Sequence, residues 1–296
     1  MAVYKRSYRA YEGSTTPERR RFLVLSRYAF FGLFDSRPFT AFFVLCFVPF
    51  LLAFATIYIS HSPSVKLLLG MQFQGPNPLA INNYFFAFFL GAQSWLGFLL
   101  ITWCGPQLIA ADLANSALPL VLSRPISRTE YVIGKLTVVA TLLTAIMLLP
   151  TLILFFLQAG LEGHGWLWSN LWMAGSIIVA SIMWIAVVGL IALASSAWLK
   201  WRVAASALML AIFFVGPGLA TAVNLTLDTN WGHIFDLGYA VKVIWMGMFR
   251  VPFETMHRLR IAELSLPAAW MVVIGFCAAS LLLLNRRLKA REVVRG

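Results

Sequence analysis

Of six long apolar stretches in this sequence, five run for twenty residues or more without an Asp, Glu, Lys or Arg from end to end: 39–60, 84–104, 171–199, 203–227 and 266–285. A sixth, 131–157, carries only Lys135. At 1.5 Å per helical residue, each can cross about 30 Å of hydrocarbon. Inside hydrocarbon every backbone N–H and C=O must find its partner within the segment or in a closed barrel. Apolar runs of this length are therefore predicted to be helices. The sequence predicts an all-α integral membrane protein with six transmembrane helices. Composition agrees, with 60% hydrophobic and 11% charged residues and a mean hydropathy of +0.82. These values exclude an ordinary soluble domain.

The net charge of +12 would point to nucleic acid in a soluble protein. Here topology accounts for it, and no nucleic-acid partner is expected. Six spans put both termini on one side. That side collects 18 of the 23 Lys and Arg residues, and the other side collects Lys66, Lys242, Arg250, Arg258 and Arg260. Basic residues accumulate on the cytoplasmic side of membrane helices, so both termini are predicted to be cytoplasmic. Three parts result: a cytoplasmic N-terminal region, 1–38; a six-helix domain, 39–285; and a basic tail, 286–296. The opening residues read as polar and basic rather than as a cleavable leader. Thr16-Pro17-Glu18 starts a helix, with Phe22, Leu25, Ala29, Phe30 and Leu33 following at helical spacing. This predicts an amphipathic helix at the membrane interface, with its arginines near anionic lipid headgroups.

Between the second and third spans lies a moderately polar island, 105–130. Gly105-Pro106 ends the second span, and Pro119 ends the short helix that follows. On that helix Ile109, Ala110, Leu113, Ala114 and Ala117 share one face, opposite Asp112, Asn115 and Ser116. Ser127-Arg128-Thr129-Glu130 is a capping box that starts the third span, with Ile126 and Tyr131 placed as a hydrophobic staple. A plain loop before a capped helix satisfies the pattern; so does a docking element.

The run Leu120-Val121-Leu122-Ser123-Arg124-Pro125-Ile126-Ser127-Arg128-Thr129-Glu130-Tyr131, closed by Gly134-Lys135, resembles the cytoplasmic signature of type-2 ABC exporter permeases. Asp112 and Leu118 match that family's acidic and leucine positions, and Ser116-Ala117 stands where Gly-Thr is more usual. The resemblance implies a coupling helix seated in a groove of a separate ABC ATPase subunit. Asp112, Asn115, Leu118, Leu122, Arg124, Arg128 and Glu130 would be the contacts. Arg124 and Arg128 would pair acidic groups of the ATPase or lipid phosphates. It implies ATP and Mg on that partner with no cofactor on this chain, a dimer with a second copy or a similar permease, and a place in the cell (inner) membrane. It agrees with an N-terminal amphipathic helix, and with a short re-entrant helix in the outer segment 228–265, where Tyr239–Met246 is too apolar for a free loop and too short to span.

The polar residues inside spans are Gln93, Ser94 and Thr102 in the second and Thr221 and Asn224 in the fifth. Such groups face protein or a cavity. Two readings stand, glue between helices and a translocation path; the family resemblance favours the path. Gly216-Pro217-Gly218 is expected to break or bend the fifth span, and 158–170 is expected to be a loop. Apart from residues near their ends the spans carry no ionisable group, which argues against proton-coupled transport. Gly134-Lys135 lacks the rest of a phosphate-binding loop, so an engine for transport would be another chain. His61, His164, His233 and His257 fall on the outer side near Met246, Met248 and Met256. Loop histidines and interfacial methionines explain them better than a soft-metal site, and no metal site is predicted. Cys46, Cys104 and Cys277 have no ligand spacing and read as small buried hydrophobes. The chain is expected not to be an enzyme. Alternatives to a permease are a scaffold that anchors an ATPase and, less well supported, a membrane-embedded lipid-modifying enzyme.

Overall fold

The computed structural model describes residues 21–62, 81–106, 108–110, 127–199, 201–258, 260 and 263–288, excluding the side chains of Arg21, Arg128, His164 and Leu288. Among them the order is α1 (Arg21–Phe34), α2 (Arg37–Leu45), α3 (Val48–His61), α4 (Asn83–Cys104), α5 (Arg128–Leu143), a π-helical turn (Thr144–Leu148), α6 (Leu149–Glu162), α7 (His164–Trp198), α8 (Arg202–Leu227), a 3-10 turn (Trp231–Phe235), α9 (Leu237–Met248), α10 (Phe253–Arg258) and α11 (Leu266–Leu288). No strand occurs among the described residues. Six helical runs are long and apolar enough to cross a membrane: 37–61, 83–110, 129–162, 165–198, 202–227 and 266–287. The protein is an all-α integral membrane protein with six spans.

The fourth span, α7, is the hub. It packs on α4, α5, α6, α8, α9 and α11. In its most apolar stretch 72% of residues are buried, against 17% in the first span, 28% in the fifth and 22% in the sixth. A helix apolar on all sides belongs in the middle of a bundle. The first, fifth and sixth spans leave apolar faces outward, where lipid or another membrane protein covers them.

Local chemistry explains each interruption. Cys46 and Phe47 divide the first span, and Pro49 sits in the first turn of α3. In the third span Pro150 has no N–H for the carbonyl one turn back, and the π-helical turn Thr144–Leu148 absorbs the misfit just before it. The expected loop over 158–170 is instead helical. α6 runs to Glu162 and α7 begins at His164, with Gly163 alone making the turn at φ 97°. That left-handed backbone suits a residue without a Cβ. Gln158, Asn170 and Ser169 lie within those helices, and Asn170 Nδ2 donates to the Trp166 carbonyl at 2.9 Å.

The fifth span is also continuous where a break was expected: α8 passes through Pro217. Gly216 serves a close approach. A Cβ there would lie 2.6 Å from the Phe235 carbonyl oxygen, in the 3-10 turn packed on α8. From the other side, a Cβ on Gly232 would collide with the Ala220 carbonyl. The glycines let a non-spanning segment nest on the helix.

Candidate coupling site

The end of the bundle holding α1, the start of α5 and the end of α11 is here called the basic end, and the opposite end the distal end. At the basic end α4 stops at Cys104, and the Gly105 N–H donates to the Ile101 carbonyl at 2.6 Å. A Cβ on Gly105 would come within 3.1 Å of Ala192 Cβ, so the turn lies directly against α7. A new helix starts here, and its first amides have no partner of their own. Ser196, fully buried in the last turns of α7, supplies one. Its hydroxyl donates to the Pro106 carbonyl at 2.8 Å and accepts from Ile109 N at 3.1 Å and Ala110 N at 2.9 Å. Leu108, Ile109 and Ala110 are buried beneath it. The start of the island is thereby fastened to the hub of the bundle.

The other end of the island enters α5 through the capping box. Glu130 N donates to Ser127 Oγ at 3.2 Å, and Ser127 N donates to a Glu130 carboxylate oxygen at 2.6 Å. Tyr131 is buried, and Lys135, also buried, holds its ammonium 5.6 Å from the Tyr131 ring centre. α1 lies across this turn. Ser26 Oγ donates to the Gly134 carbonyl at 2.7 Å. A Cβ on Gly134 would meet the Phe22 carbonyl oxygen at 3.1 Å, so glycine sets how closely α1 approaches. Leu25, Ala29, Phe30 and Leu33 pack against the core while Tyr28 and Phe31 stay exposed. The face of α1 that carries Leu25, Ala29, Phe30 and Leu33 is thus turned toward protein.

Of the seven expected coupling residues, Asp112, Asn115, Leu118, Leu122 and Arg124 lie outside the described residues. Arg128 opens α5, and Glu130 is engaged in the capping box. Thr16, Pro17, Glu18 and Ile126 also lie outside. The five polar span residues are not gathered in one place. Gln93, Ser94 and Thr102 are buried in the packing of α4. Ser94 Oγ donates to the Gly91 carbonyl at 2.6 Å, and neither amide atom of Gln93 has a hydrogen-bond partner among the described residues. Thr221 is exposed on α8 and donates to the Pro217 carbonyl at 2.9 Å. Asn224 Oδ1 accepts from Gly232 N at 2.7 Å, which pins the 3-10 turn.

The distal end is built differently. α9 caps itself with Asp236, whose carboxylate accepts from Tyr239 N at 2.8 Å. Burial raises the Asp236 pKa above the ordinary carboxylate value, against that hydrogen bond and the nearby His233 and Lys242. Burial also raises the Tyr239 phenol; its hydroxyl donates to the Arg260 carbonyl at 2.8 Å. α9 is short and packs on α11, α8 and α7, with Leu237, Ala240, Val241, Val243, Ile244, Trp245 and Met246 buried while Lys242 and Gly247 stay exposed. Arg250 lays its guanidinium 4.4 Å from the Trp172 ring centre, and Ser176 donates to the Met248 carbonyl at 3.0 Å. The three histidines with described side chains do not converge: His61 pairs with Glu162, His233 pairs with Glu263, and His257 stacks on Phe253. Among the described residues no group of three His, Cys, Asp or Glu could hold a metal.

Residues 30–229 match the family model described as ABC-2 family transporter protein. The chain belongs to the ABC-2 transporter family. No curated protein matches it. The matched stretch runs from α1 through α8 and so contains the island, the capping box and Ser196. This ABC-2 protein is the membrane-spanning component of an ABC transporter, a permease and not itself a catalyst. The sequence reading missed Ser196, Ser26 and the Gly134 contact. A Ser195-Ser196 pair ending an otherwise apolar span was the available signal for the first.

Proposed function

We propose that this ABC-2 protein is the permease subunit of an exporter driven by a separate ATPase that binds ATP and Mg, and that 105–130 is its coupling segment. The observation that carries this reading is the double fastening of the segment. Ser196 ties its start to α7, and the capping box ties its end to α5. A push on such an element reaches the bundle's hub at one end and its third span at the other, instead of dissipating in a loop.

In this reading Asp112, Asn115, Leu118, Leu122, Arg124, Arg128 and Glu130 meet the ATPase. Two copies, or one copy and a similar permease, surround a central path, and ATP-driven closure of the ATPase pair switches the bundle between inward- and outward-facing states. The basic end lies in the cytoplasm of a cell (inner) membrane, as the distribution of Lys and Arg favours. Gln93, Ser94, Thr102, Thr221 and Asn224 are the path candidates, with Thr221 the one exposed within a single copy.

The test is co-purification of the permease with its ATPase, comparing wild type with Asp112→Lys and Arg128→Glu, each checked for an unchanged thermal unfolding midpoint. Loss of ATPase binding in folded variants is the expected result. Wild-type binding by both variants would remove the coupling reading.

A further inference from the structure

An apolar groove lies at the distal end, far from the ends of the coupling segment. It has a volume of about 720 Å³, within the range of small-molecule sites, and is lined by the 3-10 turn and one flank of α11. Its rim is polar, with Asn230, Glu263 and Ser265, and its length is apolar, from Ala268 past Val272 and Phe276 to Ala279. Two of its walls, Trp231 and Met271, are 73% and 68% exposed, so the groove opens sideways along the sixth span. Gly275 lines it too, and a Cβ there would meet nothing within 4 Å.

We propose that this groove is a binding site for one phospholipid with an amine-bearing headgroup, resident in the leaflet at the distal end. Three observations select that occupant. The first is length. From Ala268 to Ala279 the helix rises about 16 Å, which matches one leaflet's share of the hydrocarbon, about 15 Å. A transmembrane helix of a partner would need a seat of about twice that length.

The second is polarity. Hydrogen-bonding groups sit only at the level where α11 leaves the distal surface, and the rest of the groove is apolar. That is the profile of a headgroup above an acyl chain, and it would leave a wholly apolar ligand against unpaired polar groups at one end. The third is charge. The ionisable residue of the lining is Glu263, with no Lys or Arg among the lining residues. Glu263 already accepts from or pairs with His233 Nε2 at 2.9 Å through one oxygen. A carboxylate accepts on both oxygens, so an ammonium headgroup fits beside that pair, whereas a headgroup with only anionic and hydroxyl groups is repelled. This site is independent of whether the coupling segment binds an ATPase.

The test uses the full-length protein in nanodiscs of phosphatidylethanolamine and phosphatidylglycerol. A trace of either lipid carries a photoactivatable acyl chain, and adducts are mapped by peptide mass spectrometry. The expected result is labelling of 231–234 and 264–279 by the ethanolamine lipid at least fivefold above that of Leu51 and Leu52, which are exposed on α3. Gly275→Leu, which enters open space, is expected to abolish the excess, as is Ala279→Leu should the first variant fold poorly. Glu263→Gln is expected to bring ethanolamine and glycerol headgroups within twofold of each other. Equal labelling of α3 and α11 would overturn the proposal, as would an unchanged headgroup preference in Glu263→Gln. Disulfide-linked dimers of Gly275→Cys formed in the bilayer would also overturn it, by placing a second copy in the groove.

Discussion

At the basic end, serine hydroxyls from one helix donate to backbone carbonyls of another: Ser26 to Gly134, Ser196 to Pro106 and Ser206 to Thr102, at 2.7 to 2.8 Å. At the distal end a neutral tie of the same kind, Ser176 to the Met248 carbonyl at 3.0 Å, is joined by two ionisable ones whose glutamates are partly open to solvent. His61 meets Glu162 at 3.0 Å and His233 meets Glu263 at 2.9 Å, with the two glutamates 44% and 43% exposed. A neutral hydrogen bond in a dry site does not titrate and is not screened, and breaking it strands a buried polar group. A partly exposed ion pair is worth little and answers to salt. The basic end is therefore joined mainly by ties indifferent to charge. The distal end adds ties that answer to charge and salt, next to a groove and a nested, non-spanning helix.

The strongest challenge to this contrast is Ser196→Ala. It removes one hydroxyl and leaves the Pro106 carbonyl and the Ile109 and Ala110 amides without it in a buried site. Each stranded group costs about 1–3 kcal/mol, less whatever local relaxation recovers. We expect a loss of about 2–3 kcal/mol in unfolding free energy, together with ATPase binding at least tenfold weaker, because the island's seat is no longer fixed. Equilibrium unfolding in detergent and ATPase co-purification read the two effects. A change below about 0.5 kcal/mol, the usual range of surface substitutions, would show that the junction is not a rigid tie.

Next in size is Gly134→Val. The branched side chain meets the Phe22 carbonyl at the crossing of α1 and α5, where a Cβ alone would already stand 3.1 Å away. Overpacking of this kind costs about 1–3 kcal/mol. The effect should appear as separation of α1, read as faster proteolysis near Arg27 with the six spans intact. Unchanged cleavage would mean that α1 rides on lipid and not on α5.

What the sequence disclosed here follows its own logic. The six spans were readable because a charge-free run is a local property, and the capping box because Ser127 and Glu130 stand three residues apart. The apolar character of 239–246, too short to span, was readable for the same reason, and α9 covers it. The Ser196 junction was not: it joins residues about ninety positions apart in the chain, and a serine ending an apolar span carries no mark of its partner. Polarity misled at 158–170, where Gln158 and Glu162 suggested a loop. They sit at the end of α6, where Glu162 also receives His61 from α3. Gly216-Pro217-Gly218 misled in the same way, since α8 runs unbroken through it. Gly216 answers to a neighbouring turn, which only the folded chain brings near.

At the distal end the expected effects are small. Glu162→Gln keeps the shape of the side chain and removes the ionic part of its contacts with His61 and Gln158. For a pair this exposed the cost should stay below about 1 kcal/mol and shrink further at high salt. Unfolding measured in low and high salt checks both statements. A loss as large as that of Ser196→Ala would erase the distinction between the two ends.

The smallest effect sharpens the comparison most, because it concerns pH and not strength. Burial raises the pKa of Asp236, in the cap of α9. In the folded protein it therefore holds its proton more tightly than in the unfolded chain. Across the window from the ordinary carboxylate value up to the raised one, the native state binds more protons than the unfolded state. Stability must fall as pH rises through that window and level off above it. Asn caps a helix about as well as Asp, so Asp236→Asn should keep the bond from Tyr239 N while abolishing this slope. The measurement is unfolding free energy as a function of pH for both proteins, with Ser196→Ala as the basic-end control. The control should run parallel to wild type, since no titrating group was removed. Asp236→Asn should converge with wild type at the acid side of the window and exceed it slightly above. A slope that survives in Asp236→Asn would overturn this assignment, and the cap of α9 would then be as indifferent to protons as the serines at the other end.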